Sequence, residues 1–159
     1  MEPLINGGIF MSKPIVPVRK LREGATLPKY GSAEAAGADL YACLDTSHVI
    51  FAPHETIMIP TGIAMGIPAG YVGLIYARSG IACKRGLAPA NKVGVIDSDY
   101  RGEIMVALHN HAGEPRQIDN GERIAQMVVT PYLSVQFEQV DALTDTARGD
   151  GGFGSTGER

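Results

Sequence analysis

Five short segments of the chain set glycine beside arginine, aspartate, serine or glutamine at places where plain strand packing has no use for them: AAGADLYA (35–42), ARSG (77–80), NKVGVIDSDYRGEI (91–104), GERIAQM (121–127) and the tail RGDGGFGSTGER (148–159). In ARSG, an arginine, a hydroxyl and the backbone N–H groups opening a short helix make an anion site by charge, fork geometry and helix dipole. The plainer alternative is a surface ion pair at Arg78 with Ser79 merely capping the helix. In GVIDSDYRGEI, residues 94–97 and 103–109 read as the two arms of a hairpin. Val95 and Asp97 alternate with Ile96 and Ser98, so Asp97 stands off the face that Ile96 buries. A carboxylate at a strand end beside apolar neighbours suits a general base, whereas Asp99 fits the turn-forming role. Tyr100 follows at the turn, where a ring with a polar tip packs flat against a ligand.

The tail contains a G-x-G-x-x-G match at Gly149, Gly151 and Gly154. A dinucleotide fold needs a strand before that turn and a helix after it, and the residues beyond Gly154 are too few for the helix. No lysine follows Gly154, which removes the P-loop reading as well. From Thr144 onward the glycines and charged residues have too little apolar surface to offset the entropy of ordering, so this stretch is expected to move until something binds it.

The elements that must position these segments are strands. The chain has 20 glycines and 10 prolines spread throughout, and the short apolar runs between them are rich in Val, Ile and Tyr, which is all-β punctuation. Strands are expected at 15–21, 38–43, 56–59, 62–65, 71–76, 94–97, 103–109, 124–130 and 135–140, in a sandwich or jelly roll. Only 78–86 suits a short helix, with Ser79 able to cap its start and Gly86 its end.

At 159 residues one domain is expected, burying roughly 70% of the surface its unfolded form would expose. The composition, 45% hydrophobic and 19% charged, is that of a soluble globular protein, and no apolar run approaches the ~20 residues of a membrane span. The first residues lack the basic and apolar regions of a secretory signal, so a cytoplasmic protein is expected. A net charge of −3 and a pI of about 5.8 argue against general affinity for nucleic acid. Cys43 and Cys83 lack the spacing of a redox or zinc pair and read as buried thiols. His109 and His111 in HNH share a strand face, but with no third ligand nearby in sequence a solvated strand end is the plainer reading than a metal site.

Taken in this order, the five segments resemble the five motifs of the trimeric dUTPases, the deoxyuridine triphosphate nucleotidohydrolases, and the similarity covers nearly the whole chain from about Ile15 to Gly157. The resemblance implies a jelly-roll or β-barrel subunit in a homotrimer with three active sites between subunits. It divides the chain into an N-terminal extension (1–14), the barrel domain (15–143) and a mobile C-terminal arm (144–159). It implies hydrolysis of dUTP to dUMP and pyrophosphate, limiting uracil in DNA and supplying dUMP for thymidylate synthesis.

By the same resemblance Asp97 activates a water for in-line attack on the α-phosphorus. Asn91, with main-chain groups of the hairpin around Gly94, Val95 and Met105, reads uracil, and Tyr100 lies under the deoxyribose and rejects a 2′-hydroxyl. Arg78, Ser79 and Gly80 hold the α- and β-phosphates, and Gln126 contacts phosphate. Asp39 supports Arg78 and meets Mg2+ only through a water, the ion itself resting on the triphosphate. The arm closes over the nucleotide: Arg148, Gly154, Ser155 and Thr156 reach the γ-phosphate and Phe153 stacks on uracil. Two other readings remain open at this point. A deoxycytidine triphosphate deaminase shares the fold and the trimer, but Ala107 stands where its glutamate proton shuttle would be. A non-catalytic nucleotide-binding module would have no need of Asp97 or the arm.

Overall fold

The computed structural model describes residues 13–152. It is an all-β, jelly-roll-like chain of twelve strands and one short helix. The largest sheet has five strands in the order β2 (Lys29–Tyr30), β3 (Ala38–Tyr41), β12 (Arg123–Pro131), β7 (Tyr71–Tyr76) and β9 (Gly94–Ile96). A second sheet runs β5 (Thr56–Pro60), β10 (Met105–Asn110), β8 (Leu87–Pro89). Two ribbons complete the set, β1 (Val18–Lys20) with β6 (Ile63–Met65) and β4 (His48–Phe51) with β11 (Arg116–Asp119). Each ladder is antiparallel, so one face of a strand can meet the core while the other stays polar. Leu40, Phe51, Ile59, Leu87, Leu108, Ile118 and Ile124 are all buried to within a few percent of completely and fill the interior.

β12 is the longest strand and the centre of the five-stranded sheet, paired with β3 on one side and β7 on the other. Its register against β3 shifts between Arg123 and Ala125. A bulge of this kind breaks the strict alternation of faces. Ile124 and Ala125, neighbours in sequence, are accordingly both buried, and Arg123 and Gln126 come to share one hollow.

Four expectations change. Residues 94–97 and 103–109 do not pair with each other: β9 joins β7, and β10 joins β5 and β8, so the chain between them arches from one sheet to the other. The alternation in 135–140 forms no strand and pairs with none among the described residues, with Val135 and Phe137 exposed. Four short strands, β2, β4, β8 and β11, lie in stretches too brief or too polar to show alternation. Cys83 is exposed on the helix, while Cys43 is buried as expected.

Asn110, fully buried, locks the end of β10. Its Nδ2 donates to the carbonyls of Ala52 and Glu114, at 3.0 and 2.9 Å, and its Oδ1 accepts from the amide of Ala112 at 3.0 Å. The tight turn before β5 is closed by the amide of Glu55 donating to Ala52 O, with Pro53 and His54 at its corner. His54 takes φ 61° there, a left-handed conformation that costs a non-glycine residue about 1 kcal/mol or more. No helix among the described residues is long and apolar enough to cross a membrane.

Candidate active site

The helix α1 (Ser79–Arg85) starts where β7 ends. Arg78 occupies the cap position in an extended conformation, and no side chain caps the helix. Ser79 is thus the first helical residue rather than the cap, leaving its hydroxyl free to face the adjoining hollow. Gly86 ends the helix in the left-handed conformation, φ 68°, as a C-terminal glycine should.

Arg78 is aimed by Asp39. The Nε of Arg78 donates to Asp39 Oδ1 at 2.6 Å, and Arg123 approaches Oδ2 of the same carboxylate at 3.3 Å. Asp39 is 8% exposed, and a charge so far removed from water needs partners of this kind. One carboxylate between two guanidiniums leaves the group with net positive charge, and the remaining guanidinium nitrogens are available to a second anion. In the register of the sheet Gln126 stands beside Asp39 on one side and Tyr76 on the other. Its Nε2 donates to Ala77 O at 2.8 Å, which holds the amide next to Arg78. Gly37 makes room for it: a Cβ there would lie 2.5 Å from Gln126 Oε1. Asp39, Arg78, Ser79, Arg123 and Gln126 together line a polar hollow of about 200 Å³.

A second hollow, of about 260 Å³, lies where the chain arches between the sheets, lined by Met58, Val95, Asp97, Tyr100, Glu103 and Met105. Tyr100 folds back over the arch, its hydroxyl donating to Glu103 O at 3.0 Å. That fold depends on Gly102, whose Cβ would fall 2.4 Å from the Tyr100 hydroxyl. The backbone of Asp97 is fixed by the amide of Tyr100 at 3.2 Å, while its side chain is exposed. Asn91 lies exposed on the loop between β8 and β9, its Nδ2 3.5 Å from where a Cβ on Gly94 would be. The surroundings of this hollow are apolar walls, one ring face and the two carboxylates of Asp97 and Glu103, a combination suited to a flat base and sugar with a reacting centre at the edge.

The structure therefore sorts the residues singled out from the sequence into two groups. Asp39, Arg78, Ser79 and Gln126 meet in the first hollow; Val95, Asp97, Tyr100 and Met105 meet in the second; the two share no lining residue. Gly80 is exposed in the first turn of α1, and Gly94 is buried in β9. Arg148 Nε donates to Gly151 O at 2.8 Å, within the tail itself. Phe153, Gly154, Ser155 and Thr156 lie outside the described residues. Arg123 was missed by the sequence reading: it stands three residues before Gln126, on the opposite face of a regular strand, and only the bulge brings the two together.

An all-β chain with a built anion pocket beside a helix start and a separate base-sized hollow is a nucleotide-binding design. The dUTPase family model matches residues 23–157. The chain is 49% identical over 140 residues to the deoxyuridine 5'-triphosphate nucleotidohydrolase of Hydrogenobaculum sp., covering 88% of this chain and 96% of that protein. It is 53% identical over 132 residues to the protein of the same name from Desulfitobacterium hafniense, covering 82% and 87%. Among solved structures, the dUTPase of Staphylococcus bacteriophage 80alpha with dUPNHPP superposes with a TM-score of 0.81 at 29% identity, over 90% of this chain and 98% of that one. A variant of the dUTPase of phage phi11 of S. aureus, whose structure details coordination of a structural Mg(II) ion, superposes with a TM-score of 0.73 at 29% identity, over 81% and 98%. The chain belongs to the dUTPase family, the dUTP diphosphatases.

Proposed function

We propose that the protein hydrolyses dUTP to dUMP and pyrophosphate at sites shared between the subunits of a homotrimer. The observation that carries the reading is the pocket in which Asp39 aligns Arg78 and Arg123, with Ser79 and the Gln126 amide beside them. A triphosphate is the ligand that such a cluster of fixed donors suits. The base and sugar bind in the other hollow. Asn91 and the main chain around Gly94, Val95 and Met105 read uracil, an amide offering both the donor and the acceptor that the base requires. Tyr100 packs against the deoxyribose, and its ring, pinned to Glu103 O, leaves a 2′-hydroxyl no space.

Asp97 orients a water and takes its proton as the water attacks the α-phosphorus in line with the departing pyrophosphate. The P–O bond to the leaving group breaks, and charge gathers on the pyrophosphate oxygens, where Arg78, Ser79, the Gly80 amide and Gln126 hold it. Mg2+, when bound on the triphosphate, neutralises part of that charge. The donor set fits an ion held this way: both oxygens of Asp39 already face guanidiniums, and among the described residues no three metal-ligating side chains group together. Asp39 is then left to contact the ion through water, as Mg2+ tends to keep its waters.

What supports a shared site is the division of the residues between two hollows with no residue in common. What supports an oligomer is the apolar run after β12, where Leu133 is 90% and Phe137 92% exposed, together with an apolar groove lined by Val16, Leu27, Tyr30, Met65, Met127 and Val129. Residues 15–143 form the barrel domain, residues 144–159 act as the arm that closes over the nucleotide, with Arg148, Phe153, Gly154, Ser155 and Thr156 on it, and residues 1–14 precede the domain. In the cell, which we take to be the cytoplasm, the activity keeps uracil out of DNA and supplies dUMP for thymidylate synthesis.

The experiment is incubation of the protein and Mg2+ with dUTP, dCTP, dTTP and UTP separately, with products identified by phosphorus NMR and chromatography. The expected result is pyrophosphate and dUMP from dUTP alone. A uracil nucleotide from dCTP, or no turnover of any substrate, would overturn the reading.

A further inference from the structure

The outer face at the end of β10 carries a group of imidazoles that the hydrolysis has no use for. His109 lies in β10 and His111 directly after its end; their ring centroids are 4.5 Å apart and their planes meet at 68°. Asn110, between them, is buried and held by three side-chain hydrogen bonds, so both rings leave from a fixed stretch of backbone. The ladder brings up a third imidazole. His109 pairs with Thr56, the amide of Asn110 donates to Glu55 O at 2.9 Å, and His54, next before Glu55 at the corner of the turn, is close enough for its charge to bear on His111.

Two details favour the rings as ligands. Thr56 Oγ1 lies 2.9 Å from His109 Nδ1; with the proton on Nδ1, the ring is oriented and Nε2 presents its lone pair outward, as in metal-ligating histidines. Partial desolvation, with the nearby charges of His109, Lys92 and His54, pushes the His111 imidazole below its ordinary pKa. It therefore stays neutral, and able to donate its lone pair, at a lower pH than an ordinary histidine.

We propose that His109 and His111 form a two-point chelating site for a borderline divalent transition-metal ion, of the Zn2+, Ni2+ or Cu2+ kind, with His54 as the third ligand to close on it and water in the remaining positions. Imidazole ligands without carboxylates select these ions over Mg2+ or Ca2+. Among the described residues no three ligating side chains are grouped closely enough to hold an ion, so His54 joins as the third ligand only by moving in. Lys92, the remaining charged neighbour that bears on His111, opposes a bound cation and weakens the site.

The test is calorimetric titration of the full chain with NiCl2 at pH 7.5, Mg2+ in excess throughout. A Cys83→Ser background removes the exposed thiol that would compete. The expected result is one Ni2+ per chain, weakened about tenfold or more by either His109→Gln or His111→Gln, weakened less by His54→Asn, which suits the left-handed corner, and tightened by Lys92→Gln. Binding should weaken as pH falls, because an imidazole must be free of its proton to ligate a metal ion. Circular dichroism shows whether each variant is folded. No heat up to millimolar Ni2+, or binding that survives in the folded His109→Gln/His111→Gln pair, would overturn the site; unchanged affinity in His54→Asn would overturn the third ligand.

Discussion

Gly37 sets the position of Gln126 by having no side chain. A Cβ at that position would meet Gln126 Oε1 at 2.5 Å and its Cβ at 3.2 Å, so no rotation of the amide alone relieves the contact. Gly37→Ala is expected to move Gln126 off Ala77 O and away from the phosphate pocket. The lost hydrogen bond costs about 1 kcal/mol of stability, whereas, on the proposed role of Gln126 at the phosphates, its displacement lowers kcat/KM for dUTP by about tenfold or more. Thermal unfolding and steady-state kinetics on the same variant separate the two. The residue types at this site are legible in the sequence: an arginine beside a serine and a glycine announces an anion site. Their partners are not. Asp39 lies 39 positions before Arg78 and was tied to it through the family resemblance alone. Arg123 reaches the pocket by a register shift that leaves no mark in an alternating pattern.

Apolar runs rich in branched residues and bounded by glycine or proline, such as β7 and β12, can be read directly from sequence. The two-residue β2 and the polar β11 cannot, because their pairing is set by the neighbours they meet. The two arms around Asp97 look like a hairpin locally, yet each finds a longer apolar partner in a different sheet. The helix illustrates the reverse case, an element fixed by its end. Gly86 stops α1 at φ 68°, and just before it Arg85 bonds Glu122 and Gln117 O, tying the helix to β11 and the turn before β12. Gly86→Ala forces a side chain into the left-handed region at a cost of about 1 kcal/mol. The expected change in differential scanning calorimetry is a drop in Tm of about 3 °C. The added methyl itself fits, since its nearest neighbour, the amide nitrogen of Ala112, is 3.4 Å away.

Across the whole molecule, the unmatched feature is the segment after β12. Leu133, Val135 and Phe137 alternate with polar residues as a half-buried strand does, but are 90%, 61% and 92% exposed. An alternating apolar run left without a partner among the described residues supports the proposal that another chain covers it. A Leu133→Ser/Phe137→Ser variant is therefore expected to sediment as single chains of 16.8 kDa, with the jelly roll intact by circular dichroism. A variant that kept the oligomeric state of the parent protein would mean that this segment does not hold subunits together. The sequence reads 135–140 as a strand; that it pairs with no strand among the described residues is visible only in the structure.

The separation of the Asp97 hollow from the Arg78 pocket reaches as far as genetics. If each site takes its halves from different subunits, a lesion in one hollow leaves the other half of that chain serviceable to its neighbour. Two alleles, one damaged at Asp97 and the other at Arg78, then complement each other in mixed trimers, while two copies of either allele remain inactive.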